Sequence, residues 1–220
     1  TALDSFWVRM DFEGRSLINL KDFSKGEINH IFETADSMDP RNINGIAAGK
    51  VLATAFYEPS TRTRLSFESA MHRLGGSVIG FADAKTSSVK KGESIADTAR
   101  TLEQYSDMIV LRHSIEGAAK AMADCISIPV INGGDGSHQH PTQTLTDLYT
   151  IKSELREIRG MNIALCGDLK YGRTTHSLAY GLCLFGANVT CVAPRQLAFP
   201  KDLKMSLEKE FNTGIDERRS

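Results

Sequence analysis

The 220-residue sequence predicts two consecutive α/β units, each built on a parallel sheet, with the second unit incomplete. Three observations carry this expectation. Short, almost continuous apolar runs alternate with longer segments of helical period from Lys50 onward. Polar turns rich in Ser, Thr, Gly or Arg follow several of those runs. The alternation then restarts after Gly160, beyond a long helical stretch. Apolar runs of this kind between helices suit strands of a parallel sheet covered on both faces.

Each element has its own signal. Ser24 and Glu27 stand at capping-box spacing, and Ile28, Ile31, Phe32 and Ala35 follow at helical intervals, which predicts a surface helix to about Met38. Lys50 to Tyr57 reads as a buried strand that Pro59 stops. From Thr61 the period changes: Phe67, Ala70, Met71 and Leu74 line one helix face, ended by Gly75 and Gly76. Ser77 to Phe81 then reads as strand, Ser94 to Ser106 as helix and Met108 to Leu111 as strand. A short helix near Ile115 to Ala123 leads to a strand at Ile128 to Ile131, and a polar, Gly-rich loop is expected over Asn132 to His140.

Pro141 suits the first turn of a long helix reaching about Ile158, since that position leaves a backbone donor unpaired in any case. After Gly160 come a strand at Met161 to Cys166, a helix at Thr174 to Phe185, a strand at Asn188 to Val192 and a charged helix near Lys201 to Phe211. A boundary near Thr150, inside the long helix, divides the chain into units 1–150 and 151–220. No closing strand is legible from Phe211 to Ser220, so the second unit reads as partial. Strand order is not readable from spacing.

Composition narrows the function classes. With 41% hydrophobic and 24% charged residues the chain falls among soluble globular proteins, and its formal net charge of -1 supplies no general attraction to nucleic acid or an anionic membrane. Any anion site must come from local clusters of Arg and Lys. Cys125, Cys166, Cys183 and Cys191 form no C-x-x-C pair and stand among apolar neighbours such as Ala164, Leu165 and Val192, so all four are expected to be buried free thiols. Without a leading signal peptide or a bilayer-length apolar run, a reducing cytoplasmic setting is expected.

Five clusters could carry chemistry. The turn Glu58, Pro59, Ser60, Thr61, Arg62, Thr63, Arg64 joins a strand to a helix, so the free amides of the helix N-terminus point at the carboxyl edge of the sheet, where an anion is favoured. Capping alone needs no arginine there, and a positive charge opposes the helix dipole. Hydroxyls with a bidentate guanidinium fork suit a phosphate. The polar loop Ser87, Ser88, Val89, Lys90, Lys91, Gly92, Glu93 offers a lysine able to close over an anion. Arg112 follows a strand at the same sheet edge.

In the stretch from Gly133 to Gln143, His140 stands just before a helix, where it can donate to a carbonyl or oxyanion, and Gln143 lies one turn later. His138 and His140 alternate, but no third ligand of suitable spacing follows, so neither metal nor another cofactor is expected. Asp168 to Thr174 is a second strand-to-helix crevice, and Arg173 there could receive a carboxylate. With no G-x-G-x-x-G and no Walker lysine motif, nucleotide binding is not expected.

As an ordered set, Ser60 to Arg64, Lys90 to Glu93, Arg112 with His113, His140 to Gln143 and Asp168 to Thr174 resemble the signature of the carbamoyltransferases over nearly the whole chain from about Asn19. The S-T-R-T-R and H-P-x-Q elements are common to the aspartate and ornithine enzymes. Lys90 to Glu93 and Asp168 to Thr174 are more similar to the aspartate branch. The resemblance implies that Ser60, Thr61, Arg62 and Thr63 hold the phosphate of carbamoyl phosphate. It implies that Arg112, His140 and Thr63 polarise the carbonyl oxygen and that Gln143 contacts the carbamoyl amide. Arg173 would bind a carboxylate of L-aspartate. Ser87 and Lys91 would act in the site of a neighbouring subunit, which makes the assembly a homotrimer, with regulatory or fused pathway subunits as further partners. The implied reaction yields N-carbamoyl-L-aspartate in pyrimidine biosynthesis. Family members continue past the point where this sequence stops, with an R-x-Q segment and a Pro-Leu loop that are not found here. Ornithine as the acceptor would call for a cation-binding second site, and a noncatalytic phosphate-binding module would need only the first cluster.

Overall fold

The computed structural model describes residues 12–39, 43, 45–82, 93–136 and 139–219. A first helix, α1 (Lys25–Ser37), is fixed by a reciprocal capping box: Glu27 N donates to Ser24 Oγ at 3.2 Å, and Ser24 N donates to the Glu27 carboxylate at 2.7 Å. Two otherwise orphaned backbone donors are satisfied this way.

Four parallel strands follow, β1 (Val51–Phe56), β2 (Ser77–Phe81), β3 (Met108–His113) and β4 (Val130–Asp135), in the spatial order β2-β1-β3-β4. Three helices connect them: α2 (Thr61–Arg73), α3 (Ile95–Glu103) and α4 (Ala118–Ala123). Alternate side chains of a strand face opposite sides of the sheet. Ala53, Ala55, Ile109 and Leu111 therefore pack with Ala99 of α3 and Ala118, Ala119 and Met122 of α4, whereas Leu52, Phe56 and Val110 pack with Phe67 and Met71 of α2.

The chain thus leaves β1 toward one face and β3 toward the other. Those two strands are neighbours, so their carboxyl ends flank a crevice at the point where the strand order reverses, the place in open α/β sheets where ligands bind.

Helix α5 (Pro141–Leu155) links this sheet to a second one, in which β5 (Asn162–Cys166), β6 (Asn188–Val192) and β7 (Ile215–Arg218) are parallel and in sequence order. Helices α6 (Arg173–Phe185) and α7 (Lys201–Phe211) cover one face of it. Leu165, Val189, Cys191 and Ile215 are buried there with Leu182, Cys183 and Leu207, and the same core takes in Leu20, Ile28, Phe32 and Leu148. The N-terminal helix and the linking helix are therefore packed into the core of the second sheet.

The tightest point of that packing is Gly181 of α6. A Cβ there would sit 2.7 Å from Leu148 Cδ1 and 3.2 Å from Thr144 Cγ2 of α5. Glycine weakens a helix by about 0.5–1 kcal/mol relative to alanine, so its presence reflects the close crossing. Gly181→Val is expected to lower stability by about 1–3 kcal/mol through overpacking, read as a lower midpoint of thermal unfolding. An unchanged midpoint would show that the α5–α6 crossing has room to spare.

Four expectations are corrected. Strand β4 continues through Asn132 to Asp135, where a loop was predicted, because Leu17 N and Asn132 N bond across to the backbone of Val130 and Leu17 and bury that stretch. Helix α5 stops at Leu155 rather than Ile158, where Arg156 takes a positive φ of 68°. A strand, β7, does occupy Ile215–Arg218. It is hard to read because Ile215 alone among its side chains is buried. Finally, Cys183 and Cys191 are buried as expected, but Cys125 is half-buried and Cys166 exposed. Cys166 ends β5 with its side chain on the face that α6 and α7 do not cover, in line with exposed Asn162 and Ala164.

Candidate functional site

The turn after β1 delivers Ser60, Thr61, Arg62 and Thr63 to the crevice between β1 and β3. Ser60 is the N-cap residue of α2, yet its hydroxyl makes no capping hydrogen bond, and no acidic side chain stands in the first turn. The helix N-terminus thus keeps both its unpaired amides and its positive end. Ser60 and Thr63 are half-buried, while Thr61 and Arg62 are exposed. Arg64 is paired instead within α2, its Nε 3.4 Å from Glu68, four residues on.

Arg112 stands in β3 beside the end of β1, paired in register with Phe56. Its Nη1 donates to Gly133 O at 3.1 Å, its Nε lies 3.7 Å from Glu58, and that Nε is buried without a hydrogen-bond partner among the described residues. Arg173 arrives from the other sheet, on the first turn of α6. Its Nη1 donates to Gly136 O, and it lies 3.9 Å from the same Glu58 carboxylate. Glu58 therefore holds two guanidiniums together from opposite sides of the crevice.

Gly134, at φ 115°, is the floor they share. A Cβ there would lie 3.0 Å from Arg112 Nη1, 3.5 Å from His140 Cδ2 and 3.6 Å from Arg173 Cζ. Both the positive φ and the crowding favour glycine. The neighbouring Gly133 places Thr63 Cγ2 at 3.7 Å from the corresponding point. Arg112, His140, Arg173 and Thr63, scattered through the sequence, thus surround a two-glycine stretch of β4.

His140 is the N-cap of α5, with Pro141 in the first turn, and is 6% exposed. Burial, and after it the charges of Arg112 and Arg173, push its imidazole down to about 4, with Asp135 opposing. It is therefore neutral at neutral pH. Its Nδ1 lies 3.3 Å from Thr142 Oγ1; a hydroxyl donated to that nitrogen leaves the ring proton on Nε2, free to serve an oxygen. Burial and the Arg173 charge lower the Arg112 guanidinium from its ordinary value while Glu58 raises it, and a guanidinium stays charged throughout. The crevice accordingly offers fixed positive charge with one neutral donor, a setting for an anion with a polarisable carbonyl. A cleft of 440 Å³ beside it is lined by Arg62, Thr63, His140 and Gln143.

Asp168 and His113 shape the turns around them. Asp168 accepts from Lys170 N at 3.1 Å and Tyr171 N at 3.0 Å, shaping the turn before α6. His113 is buried and accepts from Ile115 N at Nδ1, 2.9 Å away, with the Tyr57 ring tilted at 51° against it, centroids 4.6 Å apart. Ser87, Ser88, Lys90, Lys91, Gly92 and His138 lie outside the described residues. Among the described residues no group of three His, Cys, Asp or Glu side chains gathers, and no helix is long and apolar enough to cross a membrane.

Two carboxylates were missed from the sequence. Glu58 was noticed only as part of the turn, although an acid four residues before Arg62 was the available signal. Asp135 was taken for part of a loop, but it is 2% exposed and its carboxylate accepts from Gly117 N at 2.8 Å, Asn132 Nδ2 at 2.9 Å and Gln139 N at 3.2 Å. No local signal marks it.

Comparison with known proteins gives the family. Residues 15–153 match the family described as aspartate/ornithine carbamoyltransferase, carbamoyl-P binding domain. The chain belongs to this family. It is 57% identical over 198 residues to the aspartate carbamoyltransferase catalytic subunit of Thermococcus kodakarensis, covering 88% of this chain and 64% of that protein. It is 56% identical to the Thermococcus onnurineus subunit, covering 91% and 66%. The chain therefore spans just under two thirds of the length of these carbamoyltransferase relatives. Among solved structures it is similar to the catalytic subunit of M. jannaschii aspartate transcarbamoylase, at TM-score 0.85 and 52% identity over 93% of this chain and 68% of that one. It is also similar to aspartate transcarbamoylase from Trypanosoma cruzi in complex with N-(phosphonacetyl)-L-aspartic acid, at TM-score 0.87 and 37% identity over 94% and 69%.

Proposed function

We propose that the chain binds carbamoyl phosphate in the crevice around Gly134 and takes part in transfer of its carbamoyl group to L-aspartate, giving N-carbamoyl-L-aspartate and phosphate for pyrimidine synthesis. The observation that carries this is the convergence of Arg112, His140 and Arg173 on Gly134, next to the hydroxyl-lined N-terminus of α2. Ser60, Thr61, Arg62 and Thr63 grip the phosphate. Thr63, Arg112 and the neutral His140 donate to the carbonyl oxygen as negative charge grows there. Gln143 meets the carbamoyl nitrogen.

The neutral amine of aspartate attacks the carbamoyl carbon, a C–N bond forms, the bond from that carbon to the bridging oxygen breaks, and phosphate leaves with that oxygen and the amine proton. Fixed charges and alignment supply the catalysis, so no covalent enzyme intermediate is needed. Arg173 receives an aspartate carboxylate from the second sheet. The division near Thr150 then separates a carbamoyl-phosphate unit, 1–150, from part of an aspartate unit, 151–220. The Trypanosoma cruzi relative in complex with carbamoyl phosphate and aspartate supports the choice of both substrates. Arg173 favours a carboxylate-bearing side chain over the ammonium of ornithine.

A homotrimer in which Ser87 and Lys91 serve a neighbouring site belongs to the same reading. It is supported by apolar side chains left at the surface, Leu65 of α2 at 50% and Ile79 of the edge strand β2 at 37% exposure. A cytoplasmic setting is supported by the four free thiols.

The test supplies labelled carbamoyl phosphate with aspartate or with ornithine over a range of protein concentrations. Carbamoyl-aspartate whose specific rate falls on dilution is expected, since shared sites are lost as subunits part. Carbamoylated ornithine would overturn the acceptor, and phosphate binding without product in either case would reduce the chain to a binding module.

A further inference from the structure

Gln143 and Asp147 stand one turn apart on α5, where side chains four residues apart meet. The Gln143 Nε2 donates to Asp147 Oδ1 at 2.9 Å. An ionised carboxylate can only accept, so it selects the NH2 end of the carboxamide and turns the oxygen the other way. No hydrogen bond among the described residues engages Gln143 Oε1, and Gln143 lines the cleft with Arg62, Thr63 and His140. Asp147 is half-buried, and no ion pair with a described residue claims its carboxylate. The hydrogen bond that its carboxylate accepts from a described residue comes from Gln143.

We propose that Asp147 is a positioning residue that makes the site selective for a ligand NH2 group by presenting Gln143 Oε1, an acceptor, to it. The inference rests on the function proposed for the crevice. A carbamoyl group ends in NH2, which needs an acceptor; an acetyl group of nearly the same shape ends in CH3, which needs none. Were the amide turned over, two NH2 groups would face each other, each without a partner. A site built to hydrogen-bond one group discriminates strongly against an analogue lacking it, because a buried polar atom is then left unpaired.

The test measures dissociation constants by calorimetry for freshly dissolved carbamoyl phosphate, acetyl phosphate and inorganic phosphate, in the unaltered chain, D147L and D147N. The unaltered chain is expected to prefer carbamoyl over acetyl phosphate by about 10-fold or more. D147L, which has no acceptor for Gln143, is expected to bring that ratio to near parity with inorganic phosphate affinity unchanged. D147N keeps an acceptor oxygen and is expected to retain most of the preference. A D147L protein that keeps the full preference, or that weakens both acyl phosphates equally, overturns the role of Asp147. If D147L does not unfold cooperatively, D147S replaces it: the serine hydroxyl is too short to reach Gln143, and the same ratio decides. An unaltered chain that binds carbamoyl phosphate no better than inorganic phosphate would instead overturn the proposed function, whatever the variants do.

Discussion

Replacing His140 by alanine is expected to lower turnover of carbamoyl phosphate with aspartate by about 10²- to 10³-fold, the usual loss when one well-aimed oxyanion donor is removed. Phosphate affinity should change by only a few-fold, because Ser60, Thr61, Arg62 and Thr63 remain. Steady-state rates alongside direct phosphate titration separate the two effects. A variant with unchanged turnover would take His140 out of the reaction.

The same side chain carries a pH dependence of definite sign. Its folded value of about 4 lies below the ordinary 6.5, so the folded protein resists protonating it. Above pH 6.5 both folded and unfolded states hold it neutral and its contribution is complete. Between pH 6.5 and about 4 the unfolded chain takes the proton first, and about 3 kcal/mol of stability is lost. His140→Ala should flatten the stability curve in that window. For catalysis, the neutral form persists through the physiological range, so no step in turnover near pH 6.5 should vanish in the variant.

The largest expected loss of stability belongs to Asp135. Its buried carboxylate accepts from Gly117 N, Asn132 Nδ2 and Gln139 N, tying the end of β4 to the start of α4 and to the residue just before His140. Asp135→Ala would leave three donors unpaired in a buried setting, where each costs about 1–3 kcal/mol. Because a cavity of this size partly relaxes, a total of about 3–5 kcal/mol is expected, read from the midpoint of chemical denaturation. Asp135→Asn keeps one acceptor oxygen but adds two donors among donors, so it should recover about half. Equal stability of Asp135→Ala and the unaltered chain would show that water replaces the carboxylate.

Much of the framework is legible because strands of a parallel sheet that pack against helices demand apolar side chains. Lys50 to Tyr57, Met108 to Leu111 and Met161 to Cys166 carry such runs, and all three fall on strands. The caps are local as well: Ser24 with Glu27, and Pro141 at the start of α5, need only neighbours in sequence. Where burial comes from elsewhere the signal fails. Asn132, Gly133, Gly134 and Asp135 look like loop, yet they are buried because Leu17 and the arginines close over them. Ile215 to Arg218 looks like a charged tail, yet β6 pairs with it by backbone bonds that any side chain allows.

The sequence by itself determined that Ser60 to Thr63, residue types suited to a phosphate, stand at a helix N-terminus after a strand, since this requires only the change of period at Thr61. It also singled out Arg112, His140, Gln143 and Arg173 as residue types suited to a charged carbonyl ligand. Tertiary structure alone decided that they meet. Parallel pairing sets the carboxyl ends of β1, β3 and β4 side by side, and the packing of α6 on α5 through Gly181 brings Arg173 over from the second sheet. It also separated Arg112 and Arg173, which share Glu58, from Arg64, which Glu68 holds, and gave Glu58, Asp135 and Asp147 partners that lie opposite them in space. Period and propensity act over a few residues, whereas the field at Gly134 is a sum over groups that only the fold makes neighbours.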